Sequence, residues 1–132
     1  MNYPHISVII PSYDMSEYDY LVKSINSVLE QKYEGKFDII VITEGDELTN
    51  NIKDKYGTSN NILIHKLYNP DGGLSVARNK GIELAQGDVV AYIDSDAMAS
   101  ENWLQNIGWN LKDTQNIGAK EVPKTSRQEK WQ

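Results

Sequence analysis

Gly87-Asp88-Val89-Val90-Ala91-Tyr92-Ile93-Asp94-Ser95-Asp96 is the stretch that decides the fold. Its middle is a short apolar run, as expected of a strand buried on both faces. It closes on two carboxylates at i and i+2. Side chains on a strand alternate faces, so an extended chain through Asp96 points Asp94 and Asp96 the same way and Ser95 the other. Like charges held that close repel unless a cation sits beside them. A hard divalent ion, held by one or two carboxylates and completed by substrate phosphates, meets that need. The stretch therefore predicts a metal–diphosphate site at the carboxyl end of a buried strand.

Outward from this stretch, strands and helices alternate. Ile6 to Ile10 is a β-branched run closed by Pro11, the first expected strand. Ser16-Glu17-Tyr18-Asp19 resembles a capping box with Asp as its last residue. Leu21, Ile25, Val28 and Leu29 recur at helical spacing and carry a helix to about Gln31. Phe37 to Ile42 reads as a second strand. Thr43 to Asp46 is a turn with Asp46 as helix cap, and Glu47 to Tyr56 is a helix. Ile62 to Leu67 is a third strand. Asn69-Pro70-Asp71-Gly72-Gly73 is dense turn chemistry. Leu74, Ala77, Gly81, Leu84 and Ala85 mark one face of the helix that follows, with Leu74 read mainly as packing. Asp88 to Ile93 is the fourth strand. A helix is expected from Glu101 to about Lys112, with Leu104, Ile107 and Leu111 inward, and a short fifth strand at Ile117 to Val122.

This order predicts an α/β fold, a mainly parallel sheet covered by helices. Ligands in such folds bind outside the carboxyl ends of the strands. Four polar clusters fall there: Pro11-Ser12-Tyr13, Glu44, Asn69 to Ser75, and Asp94 to Asp96. Their convergence on one edge is the site hypothesis. Arg78 lies one position off the inward stripe, placed either for pairing in the site or for solvent. Tyr13 is placed to stack on a base or to cover the sheet edge.

Composition narrows the function classes. The 132 residues suit one domain with a real core, and the absence of cysteine excludes disulfides and thiolate metal sites. Nineteen acidic residues against 13 basic ones, a formal charge of −6, argue against a nucleic-acid partner. The N-terminus does not read as a signal peptide, and no apolar run approaches the roughly 20 residues of a membrane span. His5 and His65 lack metal-ligand spacing. Trp103, Trp109 and Trp131 read as packing residues. A phosphatase would normally carry its DxD after the first strand, where this chain has Pro11-Ser12-Tyr13. A nucleotidyltransferase would want a glycine-rich basic loop there.

The ordered motifs resemble a known family. Ile6-Ser7-Val8-Ile9-Ile10-Pro11-Ser12-Tyr13, then Ser24-Ile25-Asn26-Ser27-Val28-Leu29-Glu30-Gln31, is similar to the opening of family 2 glycosyltransferases of the GT-A fold. Gly73-Leu74-Ser75-Val76-Ala77-Arg78-Asn79-Lys80-Gly81 resembles the family's middle segment, and Asp94-Ser95-Asp96 its DxD motif. The resemblance covers about residues 6 to 122. It implies a Rossmann-like, mainly parallel sheet flanked by helices, truncated relative to the full family domain. Residues 1–122 would form the nucleotide-sugar-binding half, and 123–132 a polar tail or the start of an acceptor half. The implied activity is inverting, metal-dependent transfer of a sugar, of the hexosyltransferase type, from a nucleotide-diphosphate sugar to an acceptor hydroxyl. The implied metal is Mn²⁺ or Mg²⁺ at Asp94 and Asp96. By position, Pro11, Ser12 and Tyr13 would line base and ribose, and Glu44 would hydrogen-bond the base. Asn69, Leu74, Arg78 and Ser95 would lie near the nucleotide. A UDP-sugar is the first expectation, with GDP- or dTDP-sugars next, in the cytoplasm or on a membrane within a longer parent.

The pattern departs from the family at Asp14, where Asn is usual, and at Thr43-Glu44-Gly45-Asp46, where Asp-Asp-Gly-Ser is common. Family members also continue well past the point matching Gln132. The general base is therefore expected beyond Gln132, with weak or no transfer by this chain alone. An uncovered apolar face is expected to favour self-association. The rival expectation is a non-catalytic nucleotide-binding module completed by a partner chain.

Overall fold

Four β-branched and aliphatic runs form one parallel sheet. They are β1 (Ile6–Ser12), β2 (Phe37–Thr43), β3 (Ile62–Lys66) and β4 (Val89–Tyr92), in the order β3-β2-β1-β4. A computed structural model describes residues 2–68 and 73–112 of the chain. Asn69, the rest of the turn through Gly72, the expected fifth strand at 117–122 and the tail 123–132 lie outside the described residues.

The helices are α1 (Tyr18–Leu29), α2 (Asp46–Tyr56), α3 (Gly73–Leu84) and α4 (Trp103–Leu111). Strand alternation splits the core in two. Ile6, Val8 and Ile10 face one way and pack with Leu21, Ile25, Leu48, Ile52, Trp103 and Leu104 of α1, α2 and α4. Ile9, Ile40, Ile42 and Tyr92 face the other way, with Ala77 of α3. The sheet is thus covered on both faces, which is why its strands read as continuous apolar runs. α3 lies tight on β1 because it presents Gly81, where an added Cβ would meet Ile9 Cγ2 at 2.6 Å. Among the described residues no helix is long and apolar enough to cross a membrane.

Several local expectations need correction. β1 does not stop at Ile10 but runs through Pro11 to Ser12, paired with Ile42 and Thr43 of β2. Proline in a central strand is ordinarily excluded because it lacks a ladder donor. The Ile93 N–H donates to Ile9 O (3.1 Å), so residue 9, and with it residue 11, faces β4. β4 ends opposite Ile9, and the donor Pro11 lacks has no strand beside it. The capping box does not form. Asp14 instead caps a 3₁₀ turn, Met15–Glu17, accepting from Ser16 N (3.0 Å), and Glu17 precedes α1 without a side-chain cap. The hydrogen bonds from Ser16 hold the Asp14 carboxyl below its usual range. Gly45 is the N-cap of α2. Asp46 lies one residue inside, favourable to the helix dipole, and pairs with Lys66.

The strand geometry assumed for the DxD motif is also different. β4 ends at Tyr92, and a turn closed by Ala97 N donating to Asp94 O (3.1 Å) carries Asp94, Ser95 and Asp96. The turn, and not strand alternation, sets how these side chains are presented.

At the opposite end of the sheet, Asp38 Oδ1 accepts from Ser7 Oγ (2.7 Å) and lies 3.2 Å from His5 Nε2, while Gly87 N donates to Ser7 Oγ (2.9 Å). These contacts fasten the strand starts, so His5 is structural. Trp103 is fully buried and belongs to the core.

Candidate functional site

Parallel strands deliver their carboxyl ends to one edge. The chain order turns around at β1, flanked by β2 on one side and by β4 on the other, and such a switch point leaves a crevice. A cleft of about 290 Å³ opens there. Pro11, Ser12 and Tyr13 line it from the end of β1, and Glu44 from the end of β2. Leu74 and Ala77 come from α3, and Asp94, Ser95 and Asp96 from the turn after β4. Glu17 completes the lining. Members of all four clusters expected at this edge therefore meet, the third through Leu74.

The loops are tied to one another. Gly45 N donates to Tyr13 O (3.0 Å), joining the segments after β1 and β2. Gly73 opens α3 with φ +58°, a left-handed conformation that suits glycine, and a Cβ built there would lie 3.7 Å from Tyr13 Oη. The Tyr13 side chain thus reaches the start of α3. Glu17 Oε1 accepts from Ser12 Oγ (2.9 Å) and from Tyr13 N (2.6 Å), clamping the end of β1. Partial burial, then the nearby charge of Glu17, raises the Glu44 carboxyl above its usual range. Leu74, read from the sequence as packing, is 39% exposed and forms cleft wall.

Arg78 does not line the cleft. Its guanidinium stacks over the Tyr92 ring, 5.1 Å from the centroid, and its Nε is buried without a hydrogen-bond partner among the described residues.

Asp94 and Asp96 lie on the cleft wall, Asp96 exposed and Asp94 half-buried. No group of three or more His, Cys, Asp or Glu suited to a metal occurs among the described residues. Two carboxylates open to a cleft fit a hard cation that takes its remaining ligands from a diphosphate and water.

The residues that hold the DxD turn escaped sequence reading. Ser24, Ser27 and Gln31 form a polar stripe along α1 and just beyond its end. Ser24 Oγ donates to Asp94 O (3.3 Å), and Ala99 N donates to Ser27 Oγ (2.9 Å). Gln31 Nε2 donates to Ser27 O (3.1 Å) and Ser100 O (2.7 Å), while Leu104 N donates to Gln31 Oε1 (3.0 Å). Asn102 makes no side-chain cap bond to α4, so Gln31 satisfies a first-turn N–H in its place. The spacing i, i+3, i+7 of small or amide side chains beside an apolar stripe was the available signal.

The sequence pattern of glycosyl transferase family 2 matches residues 7–122. The chain belongs to glycosyl transferase family 2. Over 102 residues it is 34% identical to the glucosyl-dolichyl phosphate glucuronosyltransferase of Haloferax volcanii, covering 77% of this chain and 32% of that protein. The crystal structure of S. aureus TarS 1-349 in complex with UDP-GlcNAc superposes with a TM-score of 0.70 at 26% identity, covering 80% of this chain and 30% of that one. Mannosyltransferase PcManGT from Pyrobaculum calidifontis, in complex with GDP-Man and Mn²⁺, gives a TM-score of 0.71 at 21% identity, a likeness of fold, over 84% and 33%. The described sheet and helices of this family 2 chain are thus part of a GT-A fold. The chain spans about a third of the length of the curated relatives it matches.

Proposed function

We propose that residues 1–122 form the nucleotide-sugar-binding half of a glycosyltransferase domain, with 123–132 leading toward the acceptor half. The reading rests on one observation: Pro11, Ser12, Tyr13, Glu44, Leu74, Asp94, Ser95 and Asp96 surround one cleft at the switch point of a parallel sheet. The UDP-GlcNAc complex of TarS supports it. Tyr13 offers a flat face to the base and Glu44 an acceptor for a base N–H. UDP-sugars fit first, with GDP- and dTDP-sugars sharing that N–H.

Asp94 and Asp96 would hold Mn²⁺ or Mg²⁺, whose positive charge offsets that developing on the leaving diphosphate. Four carboxylates line the cleft, so binding of a diphosphate depends on that cation. In the hexosyl transfer proposed here, an acceptor hydroxyl attacks the anomeric carbon in line as the bond to the diphosphate oxygen breaks, inverting the centre. Its proton passes to a general base. Each cleft carboxylate already has a place on the donor side. We therefore assign the base to the acceptor half, and expect weak or no transfer by this chain alone. The exposed apolar parts of Tyr13 and Leu74 would drive self-association, and a monomer at high concentration in sedimentation velocity would count against that.

Calorimetric titration with UDP and GDP, with and without Mn²⁺, tests the donor site. Expected is Mn²⁺-dependent binding that Asp96→Ala abolishes. Equal binding by wild type and Asp96→Ala, or none by either, would overturn the proposal.

A further inference from the structure

The end of β1 contributes unusually few hydrogen-bond donors to the cleft. Pro11 has no N–H. The Ser12 N–H lies on the β2 side of the strand, with those of Ile6, Val8 and Ile10. A serine hydroxyl carries a single proton, and that of Ser12 goes to Glu17 Oε1 at 2.9 Å. The Tyr13 N–H goes to the same oxygen at 2.6 Å. The Tyr13 phenol reaches past this terminus to the start of α3, where a Cβ built on Gly73 would lie 3.7 Å from it. What remains facing a ligand is the pair of lone pairs on Ser12 Oγ, the second oxygen of Glu17, and the carboxylate of Glu44, which has no hydrogen-bond partner among the described residues.

We infer that Glu17 is a positioning residue: by taking both donors of the β1 terminus it makes this wall an acceptor-only surface, which selects bases that present an N–H. The inference rests on the donor-site reading above and adds a polarity to it. Uracil, thymine and guanine bring an N–H to such a wall. Cytosine brings a ring nitrogen acceptor at the same place and leaves the acceptors it covers unpaired, an arrangement that discriminates against such analogues. A diphosphate, itself all acceptors, finds no donor on this wall. Glu17 lies outside the Asp94–Ser95–Asp96 turn and holds the wall through Ser12 and Tyr13.

Titrations of UDP, CDP and inorganic pyrophosphate in Mn²⁺ test the inference on wild type, Glu17→Ala, Glu17→Gln and Ser12→Ala. Wild type should bind UDP at least about tenfold tighter than CDP, and Glu17→Ala should weaken UDP about tenfold, the scale of one hydrogen bond, without changing pyrophosphate. Glu17→Gln keeps the oxygen that takes both bonds but turns the second, ligand-facing oxygen into an amide donor, so it should leave pyrophosphate unchanged and narrow the gap between UDP and CDP. Ser12→Ala, which leaves the Tyr13 bond intact, should lower UDP but not pyrophosphate, and it carries the test if Glu17→Ala does not fold. Equal losses for UDP and pyrophosphate would mean a purely structural Glu17. Glu17→Gln keeping the full wild-type preference for UDP would mean that the acceptor polarity of this wall does not select the base. Either result, or a wild type indifferent between UDP and CDP, overturns the inference while the donor site stands. A wild type that binds no nucleotide removes the donor site and the inference together.

Discussion

Gln31→Met removes three hydrogen bonds while keeping side-chain length and volume. In the native chain the Gln31 amide donates to Ser27 O and Ser100 O and accepts from Leu104 N, at 3.1, 2.7 and 3.0 Å. Gln31 is buried, so water cannot readily replace what is lost. Each bond contributes about 1 kcal/mol net, and the Leu104 bond also serves as the missing cap of α4. The thioether regains a little by apolar burial, leaving an expected loss of about 2–3 kcal/mol. At about 4 °C per kcal/mol for a domain of this size, the melting midpoint should fall by about 10 °C. Thermal unfolding followed by far-UV circular dichroism measures the midpoint and urea denaturation the free energy, with an unchanged urea slope marking a pure stability effect. Gln31→Glu should do no better at neutral pH, because its carboxylate would face two carbonyl oxygens. A loss under about 0.5 kcal/mol for Gln31→Met would refute the view that this amide anchors the segment between the DxD turn and α4.

Gly81→Ala should cost about 1–3 kcal/mol by overpacking against Ile9, and less in an Ile9→Ala background, as a double-mutant cycle in urea would show. Gly87→Ala should be harder to rescue, since the added Cβ would meet backbone, His5 O at 2.7 Å and Ser7 N at 2.8 Å; its melting point should stay low whatever neighbour is trimmed. Glu44 titrates above its ordinary 4.5 in the folded chain, so the folded state holds its proton to higher pH than the unfolded one. Its contribution is therefore lost as pH rises through that folded value. Glu44→Gln should flatten this fall in urea midpoints across mildly acid pH, and an unchanged profile would count against the shift.

The sheet was legible because strands covered on both faces must be apolar throughout, as Ile39 to Ile42 and Val89 to Ile93 are. The cleft was legible for a similar reason: polar residues at the ends of such runs have nowhere to go but the sheet edge. What stayed hidden depends on partners distant in sequence. Gln31 reads as the polar end of a helix until Ser100 and Leu104 fold against it, about 70 residues later. Glu17 has the composition of a cap residue, and only the extra 3₁₀ turn frees its carboxylate to reach back to Ser12 and Tyr13. Arg78 sits one position from the inward stripe of α3, and helix phase sends it over Tyr92 instead of into the cleft.

β1 outlasts β4 by three residues at the end where the cleft lies, Ile9 being the last of β1 to pair with β4 and Ser12 the last of the strand. The site is thus made by omission: a flat ligand can occupy the place where the next stretch of strand would have run. Its most vulnerable property is a length. Residues inserted between Tyr92 and Asp94 that let β4 continue alongside Pro11 would fill the gap and silence the site with every side chain of its wall unchanged. A scan for substitutions would never reveal that kind of loss, and a scan for insertions would find it at once.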